Sequence, residues 1–174
     1  MIKKSSLVLS VLGLFFLFPI LGQAADYVNV SAMAFNSATG AETFQKKDDG
    51  AESYFYATGA VIDQYFYAPV YFPDSAQGKS VKRISVRLYD NISDFPLGRL
   101  SVYLCKVDIN SGNVYTVFSI DSGAISTPGE VLLHDSTGAN KEINNKKYAW
   151  YLRARFHYGI WGDKLRLYSV RIKY

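Results

Sequence analysis

Two histidines, His134 and His157, are the chain's only imidazoles, and Cys105 is its only thiol. Hydrolytic or metal chemistry needs a nucleophile, or paired acids, held by a base or an ion. Neither histidine belongs to a His-x-x-x-His or His-Glu pair of ligand spacing, and no second cysteine accompanies them. Gly78-Lys79-Ser80 has the ending of a phosphate-binding loop, but Pro73 stands where that loop requires glycine and a strand-like run follows where it requires a helix. Asp48, Asp49, Asp90, Asp94, Asp108, Asp121, Asp135 and Asp163 fall in turn-rich stretches without an alternating Asp-x-Asp-x pattern. Aspartate is expected in turns because its side chain bonds to nearby backbone N–H groups. Among these, Asp90 and Asp94 bracket one turn and are the pair to consider as oxygen ligands for Ca²⁺. The chain therefore reads as non-catalytic, with no cofactor beyond that cation.

The stronger signal is aromatic: 14 tyrosines, 11 phenylalanines and two tryptophans, 16% of the chain. Tyrosine offers an apolar ring that stacks on sugar or peptide faces and a hydroxyl that tolerates water. Tyr89, Tyr103 and Tyr151 share an outward parity with Arg83, Arg87, Arg153 and Arg155, a combination suited to an acidic glycan or a protein partner. Trp161, in the turn Gly159-Ile160-Trp161-Gly162, is the expected exposed anchor. The competing reading is that long amphipathic side chains cover a solvent-facing sheet.

The elements that must carry these residues are strands. Between Arg83 and Val107, Ile84, Val86 and Leu88 alternate with Arg83, Ser85, Arg87 and Tyr89, and Leu100, Val102 and Leu104 alternate with Ser101, Tyr103 and Cys105. A period of two sends one set inward and the other outward. Tyr148, Trp150, Leu152, Ala154 and Phe156 form another inward row, and Val114, Thr116, Phe118 and Ile120 share one parity. Asp26 to Phe35 and Glu52 to Ala57 read as strands, Asn36 to Gly50 as a long loop, and Ile62 to Phe72 as an aromatic run carrying Pro69. In the last run Leu165 and Leu167 hold one parity while Val170 and Ile172 hold the other, which predicts a β-bulge at Tyr168-Ser169. Eight or nine such strands, separated by turn signals, predict an all-β, antiparallel β-sandwich of jelly-roll type.

Residues 1–25 differ in kind: Lys3 and Lys4 precede an apolar run from Leu7 to Leu21, and Gly22-Gln23-Ala24-Ala25 supplies small residues at cleavage spacing. That run is shorter than the roughly 20 residues that span a bilayer. We expect a signal peptide over 1–25, one β-sandwich domain over 26–174, no membrane span after processing, and a secreted protein, periplasmic or extracellular. The formal charge is +4 and removing the segment with Lys3 and Lys4 halves it, which is too little for nucleic-acid binding. A lone cysteine cannot pair within its own chain, so Cys105 is either a buried thiol or an intermolecular disulfide.

The stretches Tyr67-Ala68-Pro69-Val70-Tyr71-Phe72-Pro73, Val81 through Tyr89-Asp90-Asn91, Leu100 through Val107-Asp108 and Leu167-Tyr168-Ser169-Val170-Arg171-Ile172 resemble a set of uncharacterised secreted bacterial β-sandwich proteins of unknown function. The resemblance implies a fold and a bacterial origin, and no catalytic residues. Taken together, the residues point to a secreted β-sandwich module that binds a glycan. The alternative is a self-associating structural component of the cell envelope or extracellular matrix, a homo-oligomer.

Overall fold

The structure is a computed structural model that describes residues 26–37, 44–47, 50–53, 62–91, 98–124, 129–158 and 165–174. Its strands are β1 (Tyr27–Ser31), β2 (Asn36–Ser37), β3 (Phe44–Lys47), β4 (Gly50–Ser53), β5 (Ile62–Val70), β6 (Arg83–Asp90), β7 (Gly98–Asp108), β8 (Val114–Asp121), β9 (Gly129–Asp135), β10 (Tyr148–Tyr158) and β11 (Leu165–Lys173). Eight of them run five residues or more, and the rest are short pieces at the sheet margins. The first sheet has six strands in the order β3-β4-β11-β6-β9, with β1 also on β11; the second has five in the order β2-β5-β10-β7-β8. All pairings are antiparallel. From β5 onward every connection except the β7–β8 hairpin changes sheets. This is a jelly roll, and the antiparallel β-sandwich read from the sequence is the observed fold.

Alternation builds the core. Ile84, Val86 and Leu88 of β6, Leu100, Val102 and Leu104 of β7, and Leu152, Ala154 and Phe156 of β10 are fully buried between the sheets. Phe66 and Phe156 pack edge-to-face at 5.3 Å, and Phe72 meets Trp150 at 5.2 Å and Tyr174 at 5.8 Å in the same way. The β7–β8 hairpin closes through Asp108, whose Oδ1 accepts from the backbone N–H groups of Asn110 (2.9 Å) and Ser111 (3.1 Å). Gly112 there has φ +73°, a conformation that favours glycine.

The structure departs from the sequence pattern in four places. The first strand ends at Ser31, which accepts from Met33 N (3.2 Å) and starts a 3-10 turn over Ala32–Ala34. The stretch read as a loop from Asn36 to Gly50 contains β2 and β3, and the next strand begins earlier than expected, at Gly50; residues 54–57 lie outside the described residues. The register of β7 on β8 shifts between Leu104 and Cys105, so Leu104 faces Phe118 while Cys105 faces Thr116. Val117 is the extra residue, so the four residues read on one parity divide: Val114 and Thr116 are exposed, Phe118 and Ile120 buried. Finally, β6 and β7, the two alternating runs between Arg83 and Val107, belong to different sheets. The bulge expected in β11 is present, with the register on β6 shifting between Leu167 and Ser169.

Candidate functional site

The outer face of the second sheet gathers aromatic and charged side chains into cross-strand rows. Tyr67, Arg153 and Tyr103 are directly paired across β5, β10 and β7. One step along, Tyr65, Arg155, Ser101 and Asp121 form a second row; one step back, Pro69, Tyr151, Cys105 and Thr116 form a third. Side chains paired or diagonal across strands lie within reach of one another. Accordingly the Tyr67 and Tyr151 rings stand 6.0 Å apart, and the Arg153 guanidinium lies 4.4 Å from the Tyr103 ring centre. Beyond Tyr151 the outward parity continues through Ala149 to Tyr71, which is 80% exposed, beside a groove of about 230 Å³.

The opposite end of this face is polar. Asp63 accepts from Arg155 Nε and Nη2, each at 2.8 Å, and lies 2.7 Å from His157 Nδ1. Burial alone would raise the Asp63 carboxyl, but the bonds from Arg155 and His157 outweigh it and hold the group below the usual carboxylate range. The bond to Asp63 correspondingly raises Arg155. At the centre, burial and the neighbouring Cys105 push the Tyr151 phenol up to about 12. Cys105, 0% exposed, sits 4.0 Å from Thr116 Oγ1, and burial raises its thiol.

The seven residues read on a shared outward parity lie on two faces rather than one. Tyr103, Tyr151, Arg153 and Arg155 lie on this side. Arg83, Arg87 and Tyr89 lie on β6, on the outer face of the first sheet across the core. Alternation separates inward from outward but assigns no strand to a sheet. Trp161 and Asp94 lie outside the described residues. Asp90 is buried, and its carboxylate accepts from Ser122 Oγ, which in turn accepts from Leu100 N at 2.8 Å. Among the described residues no group of three or more His, Cys, Asp or Glu side chains is placed to hold a metal ion, and no helix is long and apolar enough to cross a membrane. Tyr65, Tyr67 and Tyr71 were not singled out in the sequence. Their shared parity against Phe66, Val70 and Phe72 is the signal that marks them as outward.

Two pairs have elements of acid–base chemistry. His134 Nδ1 is 2.8 Å from Ser85 Oγ on the first sheet, but among the described residues nothing hydrogen-bonds the other ring nitrogen, so no third group orients the imidazole. In the Asp63–His157 pair the carboxylate orients the ring, yet no described hydroxyl or thiol is bonded to it. Lys106, on the core-facing row of β7, is satisfied by Asn140 O (2.7 Å) and stacks 4.1 Å from the Tyr148 ring centre.

No protein-family model matches the sequence. No curated protein matches it either. Solved structures do share its fold. A structure described as xylan-binding module CBM15 superimposes with a TM-score of 0.52 at 10% identity, covering 84% of this chain and 95% of that one. Carbohydrate-binding module CBM36 in complex with calcium and xylotriose gives a TM-score of 0.47 at 17% identity, covering 84% and 99%. At 10% identity the likeness to the first of these shows the fold alone.

Proposed function

We propose that this protein is a non-catalytic, exported module that binds a glycan chain on the outer face of its second sheet. The observation that carries the reading is the row Tyr67, Arg153, Tyr103, flanked by Tyr151 and Tyr65. Tyr67 and Tyr103 stand two strands apart, about 10 Å at ordinary strand spacing. An extended oligosaccharide lying across the strands would place one ring on Tyr67 and another on Tyr103, with Arg153 beneath the ring between them. The apolar C–H faces of sugars stack on aromatic rings, and the planar forks of Arg153 and Arg155 donate to ring and hydroxyl oxygens. Arg155 gives Nε and Nη2 to Asp63, which fixes the guanidinium and leaves its Nη1 as the donor positioned before a ligand arrives.

Xylan, the ligand in the name of the first of those structures, heads the panel to assay, alongside neutral β-glucans. By isothermal titration, the wild-type chain is expected to bind at least one of them. Tyr67→Ala is expected to weaken that binding about tenfold, the scale of one lost stacking contact plus its ordering. Tyr67→Phe should retain most of it, because the ring remains. Unaltered affinity in Tyr67→Ala and Tyr103→Ala would remove the basis of the proposal.

The alternative, self-association, draws support from the sheet margins. Leu132 on β9 and Val114 on β8 are both more than half exposed, and these strands end the two sheets. Exposed edge strands with apolar side chains are templates for pairing. Light scattering over a hundredfold concentration range, about 1–100 μM, separates the two readings: a binding module stays monomeric, and an assembling component grows in mass.

A further inference from the structure

On the far side of the sandwich, we propose, the outer face of the first sheet carries a second binding site, one for an oxyanion borne on a sugar ring, as in a uronate carboxylate or a sulfate ester. This site does not rest on the reading of the second sheet. It is a groove of about 350 Å³, within the usual size range of small-molecule sites. Register builds it. His134, Ser85, Arg171 and Asn29 stand opposite one another across β9, β6, β11 and β1, a single row over four strands. Arg83 and Arg87 flank Ser85 at the two neighbouring outward positions of β6, so three arginines line one groove with a nearly buried serine.

The β11 bulge makes this arrangement. Leu165 and Leu167 face the core before it, and Val170 and Ile172 after it. The extra residue therefore turns Ser169, Arg171 and Lys173 outward onto the face that Arg83, Ser85 and Arg87 already occupy. Without it, Arg171 would point toward the core.

The charges on this face are unbalanced. Arg87 pairs with Glu130, and Arg171 Nε donates to the neutral amide of Asn29 at 2.9 Å. Arg83 makes no hydrogen bond or ion pair among the described residues, and it stands directly opposite Lys173, a like charge across the strand pair. Among the described residues no acidic side chain lines the groove. Like charges facing across strands are unfavourable, and an anion seated among them relieves the repulsion while engaging guanidinium forks whose geometry matches a carboxylate or sulfate.

The flanks specify more than a bare ion. Tyr27 on β1 and Leu132 on β9 offer exposed apolar surface at the two sides of the groove. Arg171 and Lys173 lie 5.6 Å and 5.7 Å from the Tyr27 ring centre. An inorganic anion uses only the cations; a pyranose also presents C–H faces to Tyr27 and Leu132 and hydroxyls to Asn29 and Ser169. The polar floor at Ser85, reinforced by His134 at 2.8 Å, is sunk below the strand surface, as suits a ring substituent entering from above.

The test is titration calorimetry with a galacturonate trisaccharide, a sulfated oligosaccharide, a neutral oligosaccharide of equal length, and inorganic sulfate. The proteins are wild type, Arg83→Gln, Arg171→Gln and, as a control for the other face, Tyr67→Ala. At least one acidic saccharide is expected to bind more tightly than the neutral one, to weaken with added salt, to lose about tenfold or more in Arg83→Gln, and to be unaffected by Tyr67→Ala. Arg83 holds no other side chain among the described residues, so its loss reads the site even if Arg171→Gln disturbs β1. The proposal is overturned by equal affinity for the neutral sugar, by no loss in Arg83→Gln, or by loss in Tyr67→Ala alone. Inorganic sulfate binding as tightly as the saccharides would also overturn it, leaving a simple anion site. A preference for vesicles of anionic phospholipid over every saccharide would assign the face to a lipid surface instead.

Discussion

The Arg153 guanidinium lies 4.4 Å from the centre of the Tyr103 ring, its direct partner on the neighbouring strand, and Tyr67 is its direct partner on the other side. A charge held by an aromatic face rather than by a carboxylate keeps its in-plane donors for a ligand. Arg153→Met preserves the length and apolar packing of the side chain but removes the fork. Glycan affinity should fall about tenfold while stability changes by less than about 1 kcal/mol. Calorimetry and urea unfolding on the same preparation check both, and a large loss of stability with unchanged affinity would make Arg153 a packing residue.

Asp63 gives the pH dependence a sign. Its folded carboxyl is held below the ordinary value, burial opposing and the bonds from Arg155 and His157 prevailing. In the unfolded chain it titrates near about 3.9. Below that value the unfolded state takes up the proton first, so the stabilisation is present above pH about 4 and is lost as pH falls through the folded value. Asp63→Asn should lower stability at neutral pH and flatten the acid limb. Parallel acid limbs in wild type and variant would contradict the assignment.

Tyr151 and Cys105 should be silent in the folded protein. A tyrosine pushed up to about 12 stays protonated where an ordinary phenol, near about 10, ionises. Between those values the unfolded state releases its proton first, so Tyr151 withdraws stability as pH rises. Its phenolate absorbance should appear late in an alkaline titration and be missing in Tyr151→Phe. Cys105, buried and with its thiol raised, should react with an alkylating reagent only on unfolding, and the solution mass should not respond to reductant. Rapid modification of the native protein would show that the third row of the face is open.

Gly138 is required for space. A Cβ there would lie 2.0 Å from the Val117 carbonyl oxygen and 2.7 Å from the Phe118 ring, where the β9–β10 connection crosses the bulge in β8. Ala139 N donates to that same carbonyl at 3.1 Å. Gly138→Ala should cost about 2 kcal/mol, the scale of overpacking at a close contact, measured as a shift in the urea midpoint at constant slope. An unchanged midpoint would mean the connection relaxes freely.

How much of this was legible depends on the kind of regularity. Inward rows such as Ile84, Val86, Leu88 and Trp150, Leu152, Ala154, Phe156 are visible because a buried face leaves an apolar residue at every second position. The β11 bulge is legible because two leucines and then Val170 and Ile172 sit on opposite parities. The β8 bulge is not, since Val114 and Thr116 extend the parity of Phe118 and Ile120 without a break, and valine and threonine serve either side of a strand. Sheet membership is a long-range property, which is why Arg83, Arg87 and Tyr89 read as neighbours of Tyr103, Tyr151, Arg153 and Arg155 although the core divides them. Cross-strand rows such as Tyr67, Arg153 and Tyr103 depend on register between segments far apart in the chain, which no local pattern encodes.

The central claim is that glycan lies on the outer face of the second sheet. Its most direct measurement is backbone amide chemical-shift mapping of labelled protein titrated with a xylan oligosaccharide and the neutral glucans of the panel. The account predicts saturable shifts centred on Tyr67, Tyr103, Tyr151 and Arg153, all of them saturating at about tenfold higher ligand in Tyr67→Ala. Shifts confined to β6, β9 and β11, or none with any neutral glycan, would contradict it.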